Sequence, residues 1–135
     1  MSSFSCFEKI QIRYSEIDAM GILHHKNYWV FFEMLRIKWL EENGYDYSRL
    51  EANGLFLPVI QAEIKYLKAI KMNDIILVKS LVNRPSKLKV GFEYMVYKNE
   101  QLCTTAKTQH VLVNEAQKPL KLPNYLIKIL PNVSR

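Results

Sequence analysis

Tyr14-Ser15-Glu16-Ile17-Asp18-Ala19-Met20-Gly21-Ile22-Leu23-His24-His25-Lys26-Asn27-Tyr28 leads straight into Trp29-Val30-Phe31-Phe32-Glu33-Met34-Leu35, and the reading of this stretch decides the fold. Asn27 is a good N-cap, since its side-chain oxygen can accept from an unpaired N–H of a first helical turn. No Pro or Gly follows until Asn43-Gly44, a sound stop signal, so the spacing predicts a helix over residues 27–43. Only Glu33, Arg36 and Lys38 interrupt the apolar run over residues 28–40, which makes the helix hydrophobic nearly all round. Such a helix must be wrapped by protein. Its N-terminus carries unpaired N–H groups and a partial positive charge, and welcomes an anion or a polarised carbonyl oxygen. Asp18 and His25 lie just upstream of that end, on a loop that Gly21 lets bend sharply.

Outward from this stretch the pattern changes from helix to strand. Residues 4–14 alternate imperfectly and predict a first strand, with Cys6, Glu8, Ile10, Ile12 and Tyr14 on one face. Asp46 can cap a short helical turn over residues 47–52, which Asn53-Gly54 ends. Ile60, Ala62, Ile64 and Tyr66 alternate with Gln61, Glu63 and Lys65, the cleanest half-buried pattern in the chain. Asn73-Asp74 turns into residues 75–82, apolar on both faces and so expected at the centre of the sheet. Asn83-Arg84-Pro85-Ser86 turns again, and Leu88, Val90, Phe92, Tyr94 and Val96 share one face of the next strand. Asn99-Glu100 precedes a last strand over residues 101–113, whose Thr-rich first part is not blunted by charge and is expected to leave a pairing edge. Residues 123–130 predict a brief helix. One curved antiparallel sheet folded around one long apolar helix, an α+β class, would satisfy all of this in a single domain over residues 1–135.

The chain has 135 residues, 49% hydrophobic, which excludes disorder and suits one domain. Cys6 and Cys103 have neither metal-ligand spacing nor the look of a disulfide framework, in keeping with a reducing, cytoplasmic setting. No window approaches the roughly 20 apolar residues of a membrane span. A net charge of +6 suggests an anionic partner but does not by itself choose one. No zinc-finger, RNA-recognition or helix-turn-helix signature accompanies it, so nucleic-acid binding rests on charge alone and is not expected.

Asp18, Gly21, Ile22, His25, Asn27 and Tyr28, followed by Glu33, by Val59-Ile60-Gln61-Ala62-Glu63-Ile64-Lys65-Tyr66, by Asp74 and by Lys118-Pro119-Leu120-Lys121-Leu122-Pro123, carry a resemblance. The chain resembles the 4-hydroxybenzoyl-CoA thioesterase family of hotdog-fold enzymes, including the thioesterases associated with the Tol-Pal system, over nearly its whole length. The resemblance implies a hotdog fold and hydrolysis of an acyl-CoA to a free acid and coenzyme A, with no metal and no cofactor beyond the coenzyme A of the substrate. It also implies a homodimer with two sites at the interface, or a homotetramer of such dimers. Asp18 would be the nucleophile or the general base, and the sequence leaves both open. His25 falls where the family has His or Tyr, and either its imidazole or its backbone N–H would assist.

Gly21, Tyr28 and Glu33 are placed beside the substrate, Glu33 in a hydrogen-bonding role and as the alternative base. His24 reads as a packing or pocket residue, and His110 as a strand residue without a catalytic role. Arg84, Lys87 and Lys89, clustered at a turn where family members place phosphate contacts, are the expected coenzyme A contacts. The chain departs from the family at Ala69, where proline is usual, so the loop over residues 68–71 is expected to run differently. An acyl-carrier-protein thioesterase, suited by the basic surface, and a non-catalytic acyl-CoA-binding module are the alternatives. The acyl group, aromatic or short aliphatic, is left open.

Overall fold

The long apolar run forms α1, His25–Glu42, and Phe31, Phe32, Leu35, Trp39 and Leu40 on it are buried against a five-stranded antiparallel sheet. The computed structural model describes residues 4–134. The strands are β1 (Ser5–Gln11), β2 (Val59–Tyr66), β3 (Ile75–Asn83), β4 (Lys89–Lys98) and β5 (Gln101–Val111), in the spatial order β1-β3-β4-β5-β2. Two short helices, α2 (Tyr47–Ala52) and α3 (Asn124–Ile127), complete the fold. This is the expected hotdog arrangement. Val78, Phe92, Tyr94 and Val96 supply much of the sheet's inner face. Phe32 stacks on Tyr94 at 4.2 Å between ring centroids, and Trp39 meets Phe92 edge-on at 5.8 Å.

Local signals placed several boundaries correctly. Asp46 caps α2, accepting from Ser48 N at 2.9 Å, and Asn53 and Gly54 end it. Asn99 and Glu100 both take positive φ, +49° and +65°, as a tight hairpin between β4 and β5 requires. Other expectations are corrected. The first strand is shorter than residues 4–14, because the chain leaves β1 at Gln11 and tightens into a 3-10 turn over Tyr14–Glu16. Leu88 lies in the β3–β4 turn, 41% exposed, and not on the strand face.

The larger corrections concern sheet order, which no strand's own pattern encodes. β4 is central and β3 lies next to the edge; Ile75 and Leu81 on its outer face are exposed, so its two apolar faces do not mean two buried faces. β5 ends at Val111 and has neighbours on both sides, so the Thr-rich strand is not an edge. The free edges belong to β1 and β2. Along β2 only Ile64 is partly buried, although its alternation reads as a half-buried strand. Nor does the single chain wrap α1 completely, for Val30, Glu33 and Met34 remain exposed on one side of it.

A buried polar chain crosses the space between α1 and the sheet. Arg36 Nη1 donates to Tyr94 Oη at 3.0 Å, Tyr94 Oη and Thr108 Oγ1 are 2.7 Å apart, and His110 Nε2 is 2.9 Å from Thr108 Oγ1. His110 Nδ1 lies 3.0 Å from Leu57 O, which can only accept, so Nδ1 holds the proton and every link then has one donor and one acceptor. Burial, reinforced by the Arg36 charge, lowers the His110 pKa from 6.5 to about 4. The unfolded chain takes up this proton below about pH 6.5 and the folded protein only near pH 4, so stability is lost as pH falls through that window. Urea unfolding at a series of pH values should show the loss, and His110→Gln should flatten this part of the profile.

Candidate active site

The loop that carries Asp18 is a small hairpin, and each part of it is held. Ile17 pairs with Leu23, Asp18 N donates to Ile22 O at 2.8 Å, and Gly21 N donates to Asp18 O at 3.0 Å. Gly21 turns it with φ +79°, a conformation that strains any side-chain-bearing residue. The hairpin is laid against the β2–β3 connection by the Ile22–Lys71 bridge and by Leu23 N donating to Ile70 O at 2.7 Å. From the other side Glu16 anchors it. The Glu16 carboxylate, 7% exposed as a residue, accepts from Arg13 N at 2.8 Å, and Glu16 O accepts from His24 N and from Asn27 Nδ2.

These bonds correct the expected start of the helix. Asn27 is not the cap. It is the third residue of α1, buried, with its amide donating 2.8 Å to Glu16 O. The cap is His24, whose Nδ1 accepts from Lys26 N at 3.1 Å, so α1 begins at His25. His24 thus caps the helix while its ring packs on that of His25, with 4.2 Å between ring centroids, and it does not line the cleft that holds Asp18. His is an uncommon cap, and the usual cap preferences therefore pointed past it.

One oxygen of Asp18 is fixed, Oδ1 accepting from Met20 N at 2.8 Å and from Ile22 N at 3.3 Å. Oδ2 has no partner among the described residues. As the first residue of α1, His25 has a backbone N–H with no acceptor within the helix, and none among the described residues takes it up. Asp18, His25 and Tyr28 line one cleft of about 310 Å³ with Tyr66, Lys68 and Ile70. Tyr28 is buried and meets Tyr66 edge-on at 5.2 Å, and burial raises its phenol pKa. A fixed carboxylate and a helix N-terminus thus share one partly apolar cleft. That combination can attack, or activate water to attack, a carbonyl whose oxygen the helix end receives.

Not every expected site residue gathers there. Glu33 lines a different cavity of about 80 Å³ with Arg36, Trp39, Phe92 and His110, more than two turns further along α1. Arg84, Lys87 and Lys89 sit in and after the β3–β4 turn, and Lys89 pairs with Val111, whereas the cleft lies at the end where Val96 and Tyr66 flank Thr104. That separation is roughly 20 Å along β4. A single chain does not bring these groups to Asp18, since the grouping of charges at a turn says nothing about which end of the sheet the turn occupies. Lys68 is, with Tyr66, Leu67 and Ile70, among the cleft residues that the pattern did not assign. Its signal was the Ala69 departure, which marked the loop without indicating what it lines.

Comparison with known proteins bears on this geometry. The family model for the thioesterase-like superfamily matches residues 12–130. YneP of Bacillus subtilis, provisionally named an acyl-CoA thioesterase, is 30% identical over 84% of this chain and 84% of its own length. The acyl-CoA thioesterase YbgC of Haemophilus influenzae is 27% identical over 84% of this chain and 85% of its own. Among solved structures, the DHNA-CoA thioesterase from Staphylococcus aureus superposes with a TM-score of 0.84 at 29% identity, covering 92% of this chain and 85% of that one.

Proposed function

The chain belongs to the thioesterase-like superfamily, and on that premise we propose that it hydrolyses acyl-CoA thioesters to a free acid and coenzyme A. The observation that carries this reading is the pairing, in one cleft, of Asp18 with the free N–H at the start of α1. The thioester oxygen takes the His25 N–H, and the free Oδ2 of Asp18 acts on the carbonyl carbon. Attack by Oδ2 itself would form a mixed anhydride and expel the thiolate, after which water opens the anhydride. Alternatively Oδ2 removes the proton from an attacking water, and both routes release the same products. Thiol release from a panel of short aliphatic, aromatic and long-chain acyl-CoAs, with the matching acyl carrier proteins in parallel, tests it. Saturable release from an acyl-CoA is expected. Release from carrier proteins alone would move the substrate class, and silence across both panels would end the reading.

The active unit proposed is a homodimer joined along β2. That edge is unpaired among the described residues, and Val59, Ile60, Tyr66 and Leu67 on or beside it are exposed. A two-fold axis pairing the β2 edges antiparallel runs the two α1 helices side by side in opposite directions. The Glu33 cavity of one subunit then faces the Asp18 cleft of the other, and the Arg84, Lys87 and Lys89 turn comes round to the same end. Glu33 and these cations would serve the substrate across the interface. The doubly substituted Val59→Lys, Ile60→Lys protein changes only exposed positions on β2, so circular dichroism should be unaltered, while sedimentation should show a monomer and turnover should fall steeply. A monomeric variant with full turnover would contradict the shared site.

A further inference from the structure

Lys68 lines the same cleft as Asp18 and His25, and its main chain is fixed there. Leu67 N and Lys68 N both donate to Cys103 O, at 2.8 and 3.0 Å, which pins the turn immediately after β2. Among the described residues its ammonium has no carboxylate partner. Asp18, the carboxylate of the same cleft, uses Oδ1 on backbone N–H groups instead. The cleft therefore holds a free cation on an exposed, flexible stem close to the positive end of α1, where exposed Lys26 adds a second charge.

A neutral thioester carbonyl gains little from an ammonium in solvent, whereas a pyrophosphate gains charge-assisted hydrogen bonds to it. We infer that Lys68 holds the pyrophosphate of the coenzyme A moiety at the mouth of the Asp18 cleft and so sets the preference for phosphate-bearing thioesters. This rests on the acyl-CoA reading above. It gives the chain a phosphate contact of its own, beside the turn cations that reach the site only from a second subunit.

Two measurements on the wild type, Lys68→Met and Lys68→Arg test it separately from that reading. The first is calorimetric binding of free coenzyme A, which needs no turnover; Lys68→Met should bind about tenfold more weakly, and Lys68→Arg should recover most of the loss. The second is the ratio of kcat/KM for an acyl-CoA to that for the same acyl group on N-acetylcysteamine, which has no phosphate. That ratio should fall about tenfold in Lys68→Met, and the wild-type ratio should shrink in high salt. Equal coenzyme A affinity in the wild type and Lys68→Met, or an equal effect on both thioesters, overturns the inference while leaving the thioesterase reading in place. Lys68-dependent coenzyme A binding by a protein that hydrolyses no thioester sustains the inference and removes that reading. A wild type that neither binds coenzyme A nor hydrolyses its esters sinks both.

Discussion

Phe32→Ala should cost about 3–5 kcal/mol of folding free energy, enough to leave a domain of this size near its unfolding threshold. Phe32 is fully buried, stacked on Tyr94 at 4.2 Å and edge-on to Trp29 at 5.6 Å. Removing the ring leaves a cavity between α1 and the central strand, bounded by two rigid aromatics that cannot collapse into it. Tyr94 would suffer as well, because its hydroxyl is the middle link between Arg36 and Thr108. Phe32→Leu should cost less, since it keeps most of the apolar volume. Urea unfolding of the three proteins measures this. A loss below about 1 kcal/mol for Phe32→Ala would mean that α1 is not packed on the sheet through this residue.

What the sequence made legible was whatever is encoded within a few residues. The apolar run of α1, the Asp46 cap, the Asn99-Glu100 hairpin and the Asp18–Gly21 turn all state their conformation locally, and the structure has them. The position of a strand in a sheet is set by its partners. Hence β2 could read as half-buried and prove an exposed edge, and β3 could read as central and lie next to the edge. The site divides the same way. Asp18, His25 and Tyr28 are close in sequence and share a cleft, whereas Glu33 and the Arg84, Lys87 and Lys89 group could be placed only by knowing which end of the fold each occupies. Lys68 escaped because the contact that pins its backbone beside the cleft, to Cys103 O, comes from far along the chain. His24 as a cap was missed for a local reason, the rarity of histidine in that role.

The catalytic assignment concentrates the second large effect in one atom. Asn at position 18 keeps the size of the side chain and can present its carbonyl oxygen to Met20 N and Ile22 N as Oδ1 does, so the hairpin should survive. It loses the charge, and with it the capacity to attack the thioester or to take a proton from water. His25→Ala removes an imidazole but leaves the backbone N–H at the start of α1, and should therefore cost much less. The decisive measurement is kcat of Asp18→Asn beside wild type and His25→Ala on the best acyl-CoA substrate, with circular dichroism showing all three folded. A fall of about a hundredfold or more in Asp18→Asn, with KM little changed and a smaller loss in His25→Ala, is the predicted result. Near wild-type turnover by folded Asp18→Asn would contradict the account.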